Sequence, residues 1–172
     1  MKHIVQKHDP VLRHKAQAVP LSEIRTPKIQ SILRDMKEAL DAEDDGAALA
    51  APQIAVSLRI FILSERVFGA KSTHEAASKD PHLVYINPTI VKRSKRKHVV
   101  DEGCLSVRGK YGTIARATNV TIEAYDEHGV LFRRDAGGLL AQAFQHETDH
   151  LDGTLFIDGA MELWDVGQNE PG

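Results

Sequence analysis

Residues 144–153 read FQHETDHLDG, so His146, Glu147 and His150 form an H-E-x-x-H pattern. In a helix each residue turns the side-chain direction by about 100°, and positions four apart therefore differ by about 40°. Both imidazoles face one side. They either grip a single ion or share a crowded interior face. Leu139 and Ala143 continue the histidine row toward the start of such a helix, and Leu140, Phe144 and Leu151 make a neighbouring apolar row. A helix with this distribution is expected to be buried over much of its circumference. Two imidazoles and a carboxylate in an apolar interior cost several kcal/mol unless something compensates them, and a cation would do so.

A catalytic divalent ion keeps about three protein ligands and one open position, so a third donor is required. An endopeptidase built on H-E-x-x-H would draw it from downstream, where Asp152, Asp158, Glu162, Asp165 and Glu170 are available. Upstream, DEGCLS at 101–106 offers Cys104, the one cysteine of the chain. Alone, such a residue is also read as a small buried hydrophobe or a nucleophile. Gly103 gives the backbone freedom beside it, and a thiolate with two neutral imidazoles offsets part of a cation's charge. That makes Cys104, His146 and His150 a ligand set with one position open. A closed structural site typically takes four protein ligands, often several cysteines, and here there is one. With a position open, Glu147 stands ready to take a proton from an activated water and hand it to a leaving amine. The reaction class is metal-assisted hydrolysis of an amide.

The elements that must position these groups are legible in part. DPVLRHKAQAV places Asp9 to cap and Pro10 at a first helical position, predicting a short helix that ends before Pro20. TPKIQSILRDMKEAL repeats the device with Thr26 and Pro27, and Ile29, Ile32, Leu33, Met36 and Leu40 recur at helical spacing. After DAEDDG comes AALAAPQIAV, small residues that let backbone and ligand approach closely, and then RIFILSE, a short apolar strand. RVFGAKSTHEAASKDP is expected as a loop. HLVYINPTIV and KRSKRKHVVDEG read as sheet segments with Pro88 at an edge or bend, and NVTIEAYDEHGVLFRR as two strands joined at DEHG. A helix is predicted from GGLLAQAF through HLDG, stopped by Gly153.

The chain has 172 residues, 42% of them hydrophobic, which suits one domain with a single core. Lys plus Arg number 22 against 24 Asp plus Glu, a formal charge of -2, so no positive excess points to nucleic acid or an anionic membrane as the main partner. Lys92, Arg93, Lys95, Arg96 and Lys97 form a local basic cluster, read as a solvated edge or as an RNA or ribosome contact. A single cysteine excludes an internal disulfide framework and fits a reducing compartment. MKHIVQKHDP lacks a signal-peptide core and no apolar run reaches membrane-spanning length, so a cytoplasmic location is expected.

GAALAAPQ at 46–53, EGCLS at 102–106 and QHETDH at 145–150 together give a chain that resembles the peptide deformylases, over roughly residues 3–160. Those enzymes remove formyl from the N-terminal methionine of new polypeptides. The resemblance implies a compact single-domain α+β fold with antiparallel sheets around a central helix bearing the H-E-x-x-H motif. It implies a catalytic domain over 1–160 followed by a short tail, 161–172. By the same resemblance the metal ligands are Cys104, His146 and His150, the acid/base is Glu147, and the formyl oxygen meets the Gln53 amide and the backbone N–H of Leu105. Gly46 and Ala48 would border the substrate groove, the peptide lying there as an added strand, with Leu139 and Ala143 near the methionine pocket. Ferrous iron is the implied ion, with zinc, nickel or cobalt able to take its place, and formylated nascent peptides are the implied partners. The long basic C-terminal helix that docks some relatives on the ribosome has no counterpart in WDVGQNEPG. Two departures stand out: Ala48 occupies a position usually glycine, and Arg108 one where proline is common. They keep open a noncatalytic or altered-substrate paralogue, and the H-E-x-x-H helix with a downstream third ligand keeps open a zinc endopeptidase.

Overall fold

The computed structural model describes residues 2–68 and 82–166. Helix α1 spans Pro27–Asp41, with Thr26 accepting a hydrogen bond from the Ile29 N–H and Pro27 in the first turn. Ile29, Leu33, Met36 and Leu40 are buried, and Ile32 packs half-buried against them. The Asp9–Pro10 start instead yields a single 3-10 turn, Pro10–Arg13. The longer helix expected there does not form. The Ala16 N–H donates to Leu151 and the Gln17 N–H to Ser57, so tertiary partners take the backbone groups that a helix would have used.

Among the described residues eight strands follow: β1 Ala48–Ala50, β2 Ile60–Ser64, β3 His82–Arg93, β4 Lys97–Gly103, β5 Lys110–Ala117, β6 Asn119–Tyr125, β7 Leu131–Gly137 and β8 Glu162–Asp165. They make a five-stranded sheet in the order β1-β2-β3-β6-β7 and a three-stranded sheet in the order β4-β5-β8, every pairing antiparallel. At Pro88 strand β3 slips register between Ile86 and Thr89, and Asn87 takes a φ of 50°. That is the bend the proline predicts. The DEHG turn also forms, with the Asp126 carboxylate accepting from the N–H groups of His128 and Val130. The expected loop at 66–81 begins instead inside a short helix, α2 Glu65–Phe68, and residues 69–81 lie outside the described residues. Residues 162–165, expected within the tail, supply β8, where Trp164 pairs with Tyr111.

Helix α3, Gly138–Leu151, carries the two histidines. Its Ala141, Phe144 and Leu151 pack on Phe61, Leu63, Tyr85, Val120, Ile122 and Ala124 of the five-stranded sheet. The opposite face of that sheet receives α1 through Ile60, Ile62, Val84 and Ile86. Residues alternate sides along a strand, so β2 and β3 need apolar groups at consecutive positions, which IFIL and LVYI supply. Gly153 ends the helix region at φ 77°, where an added Cβ would lie 2.6 Å from the Arg13 carbonyl oxygen. The basic residues 92, 93 and 95–97 are exposed where β3 passes into β4. Among the described residues no helix is long and apolar enough to cross a membrane.

Candidate metal centre and active site

Strand β4 delivers Cys104 immediately past its last residue, and α3 delivers His146 and His150 one turn apart. One ligand atom from each lies within 4.8 Å of the others, the one such grouping of three among the described residues. Cys104 Sγ is 3.3 Å from His150 Nε2. Among the described residues none of the downstream acids joins them: Asp152 pairs with Arg59, Asp158 with Arg13 and Asp165 with Lys110, and Glu162 is exposed on β8, while Glu170 lies outside the described residues.

The supporting groups were not singled out by sequence. Glu102, buried beside the cysteine motif, places Oε1 2.6 Å from His146 Nδ1. A carboxylate there accepts the Nδ1 proton and leaves Nε2 as the free lone pair, the tautomer a metal ligand needs. Arg116 holds Glu102 by two bonds of 2.6 and 2.8 Å and reaches Asp149 on α3 at 2.7 Å. Burial alone would raise the Glu102 carboxyl, but the hydrogen bonds from Arg116 and His146 outweigh it and bring the pKa down to about 2. Burial disfavours charge on both histidines. At His146 the contacts with Cys104 and Glu102 prevail and raise its pKa; at His150 burial and the neighbouring His146 lower it.

Glu147 is buried beside this cluster, its Oε1 3.9 Å from His146 Nε2 and its Oε2 without a hydrogen-bond partner among the described residues. Burial pushes it up to about 7, against the pull of His146. A buried carboxylate, a thiol and two imidazoles with one oxygen left unpartnered fit a divalent cation, whose charge would compensate all of them.

A cavity of about 390 Å³ opens onto the cluster, bordered by β1, by β4 and by the start of α3. Ala48, Gln53, Leu105, Leu139, Ala143 and Glu147 all line it. Gly46 does not line it: the wall there is Asp45, Ala47 and Ala48, and Gly46 packs against Leu40, where an added Cβ would lie 2.8 Å from its Cδ1. Ala48 sits in regular strand without positive φ, so its methyl group costs no backbone strain. Arg108 stands at the rim with its guanidinium on Glu43 at 2.7 and 3.3 Å. The Gln53 amide oxygen accepts from the Ala50 N–H at 2.9 Å, which turns its Nε2 toward Cys104 Sγ at 3.7 Å and Ser106 Oγ at 3.1 Å.

Residues 1–164 match the family model of the polypeptide deformylases. The chain belongs to the peptide deformylase family. It is 42% identical to the peptide deformylase of Dehalococcoides mccartyi strain CBDB1 over 99% of this chain and 94% of that one. Among solved structures it resembles the peptide deformylase of Thermotoga maritima, with a TM-score of 0.79 and 30% identity over 94% of this chain and 99% of that chain. It likewise resembles that of Synechococcus elongatus in complex with actinonin, at TM-score 0.78 and 32% identity over 94% and 79% of the two chains. Deformylase membership accounts for the α+β architecture and for the three motifs at once, since each supplies one wall of the same cavity.

Proposed function

We infer that this enzyme removes the N-formyl group from the N-terminal formylmethionine of newly made polypeptides and releases formate. The observation that carries the reading is the convergence of Cys104, His146 and His150 beside a cavity whose wall includes Cys104, His146, Glu147 and Gln53. Cys104, His146 and His150 hold one divalent ion. Ferrous iron is the resident metal proposed, and zinc, nickel or cobalt suit the same sulfur and nitrogen donors. When bound, such an ion supplies Lewis acidity, lowering the pKa of a water and polarising the formyl carbonyl.

The chain's own groups do the rest. Glu147 accepts a proton as water adds to the formyl carbon, then passes it to the nitrogen of methionine as the C–N bond breaks. The Gln53 Nε2 and the Leu105 N–H donate to the formyl oxygen as negative charge grows on it, an interaction stronger in the transition state than in the ground state. The peptide extends beside edge strand β1, backbone to backbone past Ala48, and the methionine side chain enters between Leu139 and Ala143. One catalytic domain suffices, running past residue 160 to take in β8 at Glu162–Asp165, and a single thiol suits a reducing, cytoplasmic setting.

Formate release from a soluble formylmethionyl peptide by freshly prepared, iron-loaded protein tests the activity. Cys104→Ser should lose metal and turnover together, whereas Glu147→Ala should keep the metal and lose turnover. Metal retained in full by Cys104→Ser, or undiminished turnover in Glu147→Ala, would overturn the assignment of roles.

A further inference from the structure

The donor side of the cavity hangs on a tight turn. The Val107 N–H donates to the Cys104 carbonyl at 2.9 Å, which makes Leu105 and Ser106 the two central residues. Turns of this size differ from one another by a rotation of the central peptide group, here the one joining Leu105 to Ser106. Gln6 fixes that group. Its Nε2 donates to the Leu105 carbonyl at 3.0 Å, and its Oε1 accepts from the Arg108 N–H at 3.3 Å. The neighbouring Val5 N–H donates to the Gln53 carbonyl at 2.8 Å. Ser106, fully buried, accepts from Gln53 Nε2. Among the described residues nothing accepts the Leu105 N–H.

We propose that Gln6 is a positioning residue for deformylation: its amide locks the Leu105–Ser106 peptide, and through Ser106 Oγ it locks the Gln53 amide that faces the formyl oxygen. This rests on the deformylase reading above. A rotation of the central peptide would carry the Leu105 carbonyl away from Gln6 and change the φ of Ser106. Ser106 Oγ would then swing off Gln53. A donor that must be re-aimed during the reaction loses the advantage of being fixed beforehand. The two groups lie 99 positions apart in the chain, so the N-terminal segment acts as a brace for the oxygen-binding half of the site.

The test uses metal-loaded enzyme and a soluble formylmethionyl peptide. Gln6→Met keeps length and bulk and removes both hydrogen bonds, while Gln6→Glu keeps the acceptor for Arg108 and loses the donor to Leu105. Both should lower kcat about tenfold or more, with KM within twofold and metal per chain unchanged, because displacements on the order of 1 Å carry penalties of that size or larger. Independently of turnover, amide exchange across 104–108 should quicken and the Gln53 side-chain resonances should shift. A kcat within twofold of wild type in Gln6→Met overturns the proposal, and so does a loss of kcat matched by loss of metal. If Gln6→Met fails to fold, Ser106→Ala tests the second link: retained metal with reduced kcat supports it, and unchanged kcat overturns it. Wild-type formate release keeps the two readings apart. Its absence would sink the deformylase assignment, while the exchange and resonance measurements would still decide the brace.

Discussion

Glu147 is a buried carboxyl group with one unpartnered oxygen, and its pKa of about 7 against an ordinary 4.5 makes stability depend on pH. The folded protein holds this proton more tightly than the unfolded chain does. Stability from this group is therefore complete below about pH 4.5 and is lost as pH rises to about 7. In metal-free protein, Glu147→Gln should escape that loss and be more stable than wild type at pH 8 by up to about 3 kcal/mol, at roughly 1.4 kcal/mol per pKa unit, with little difference at pH 4. Urea unfolding at the two pH values checks it. A variant no more stable at pH 8 would mean that Glu147 is not short of compensation. The His146, Glu147 and His150 pattern was legible because residue type and a spacing of four carry chemical meaning within one helix, and Cys104 because it is the one thiol of the chain. Glu102, Arg116, Ser106 and Gln6 were not legible. Each is an ordinary polar residue until the fold sets it 2.6–3.1 Å from a partner that sequence leaves far away.

Helices α1 and α3 were readable from apolar spacing and from their start or stop signals, which are local. The segment after Asp9 carries equally good local signals and still stops after one turn, because Leu151 and Ser57 compete for its backbone N–H groups. Long-range pairing also explains why β8 escaped notice: ELWD has neither length nor alternation to mark it, and its four residues are all exposed. The junction between α3 and that N-terminal segment is testable at Gly153. An alanine there would have to adopt a φ of 77° with its methyl 2.6 Å from the Arg13 carbonyl oxygen. Gly153→Ala should cost about 1–3 kcal/mol, the range for a strained backbone position, measured as a lowered urea midpoint at unchanged slope. No change in midpoint would show that the close approach relaxes freely.

For the molecule as a whole, a cation held at Cys104, His146 and His150 would tie the three-stranded sheet to the helix that sits on the five-stranded one. Anything that binds the folded state alone stabilises it, by about 4 kcal/mol at a thousandfold excess over Kd. For a chain of this size the midpoint should rise by about 10 °C on metal loading. Calorimetry with and without a chelator reads this directly, and Cys104→Ala should abolish the increment. An equal midpoint in both states would deny the ion any role in joining the layers. The exposed turn between β3 and β4 has a consequence of a different kind. Counting the strand ends that flank it, five of the six residues from Lys92 to Lys97 are cationic, and taking five positive charges from a total of -2 leaves -7 for everything else. Screening over about 10 Å at 0.1 M salt lets a sorbent sense the near pole before the far one. At pH 7.5, above the isoelectric point of about 6.5, the protein should still be retarded by a sulfonate resin, landing turn-first.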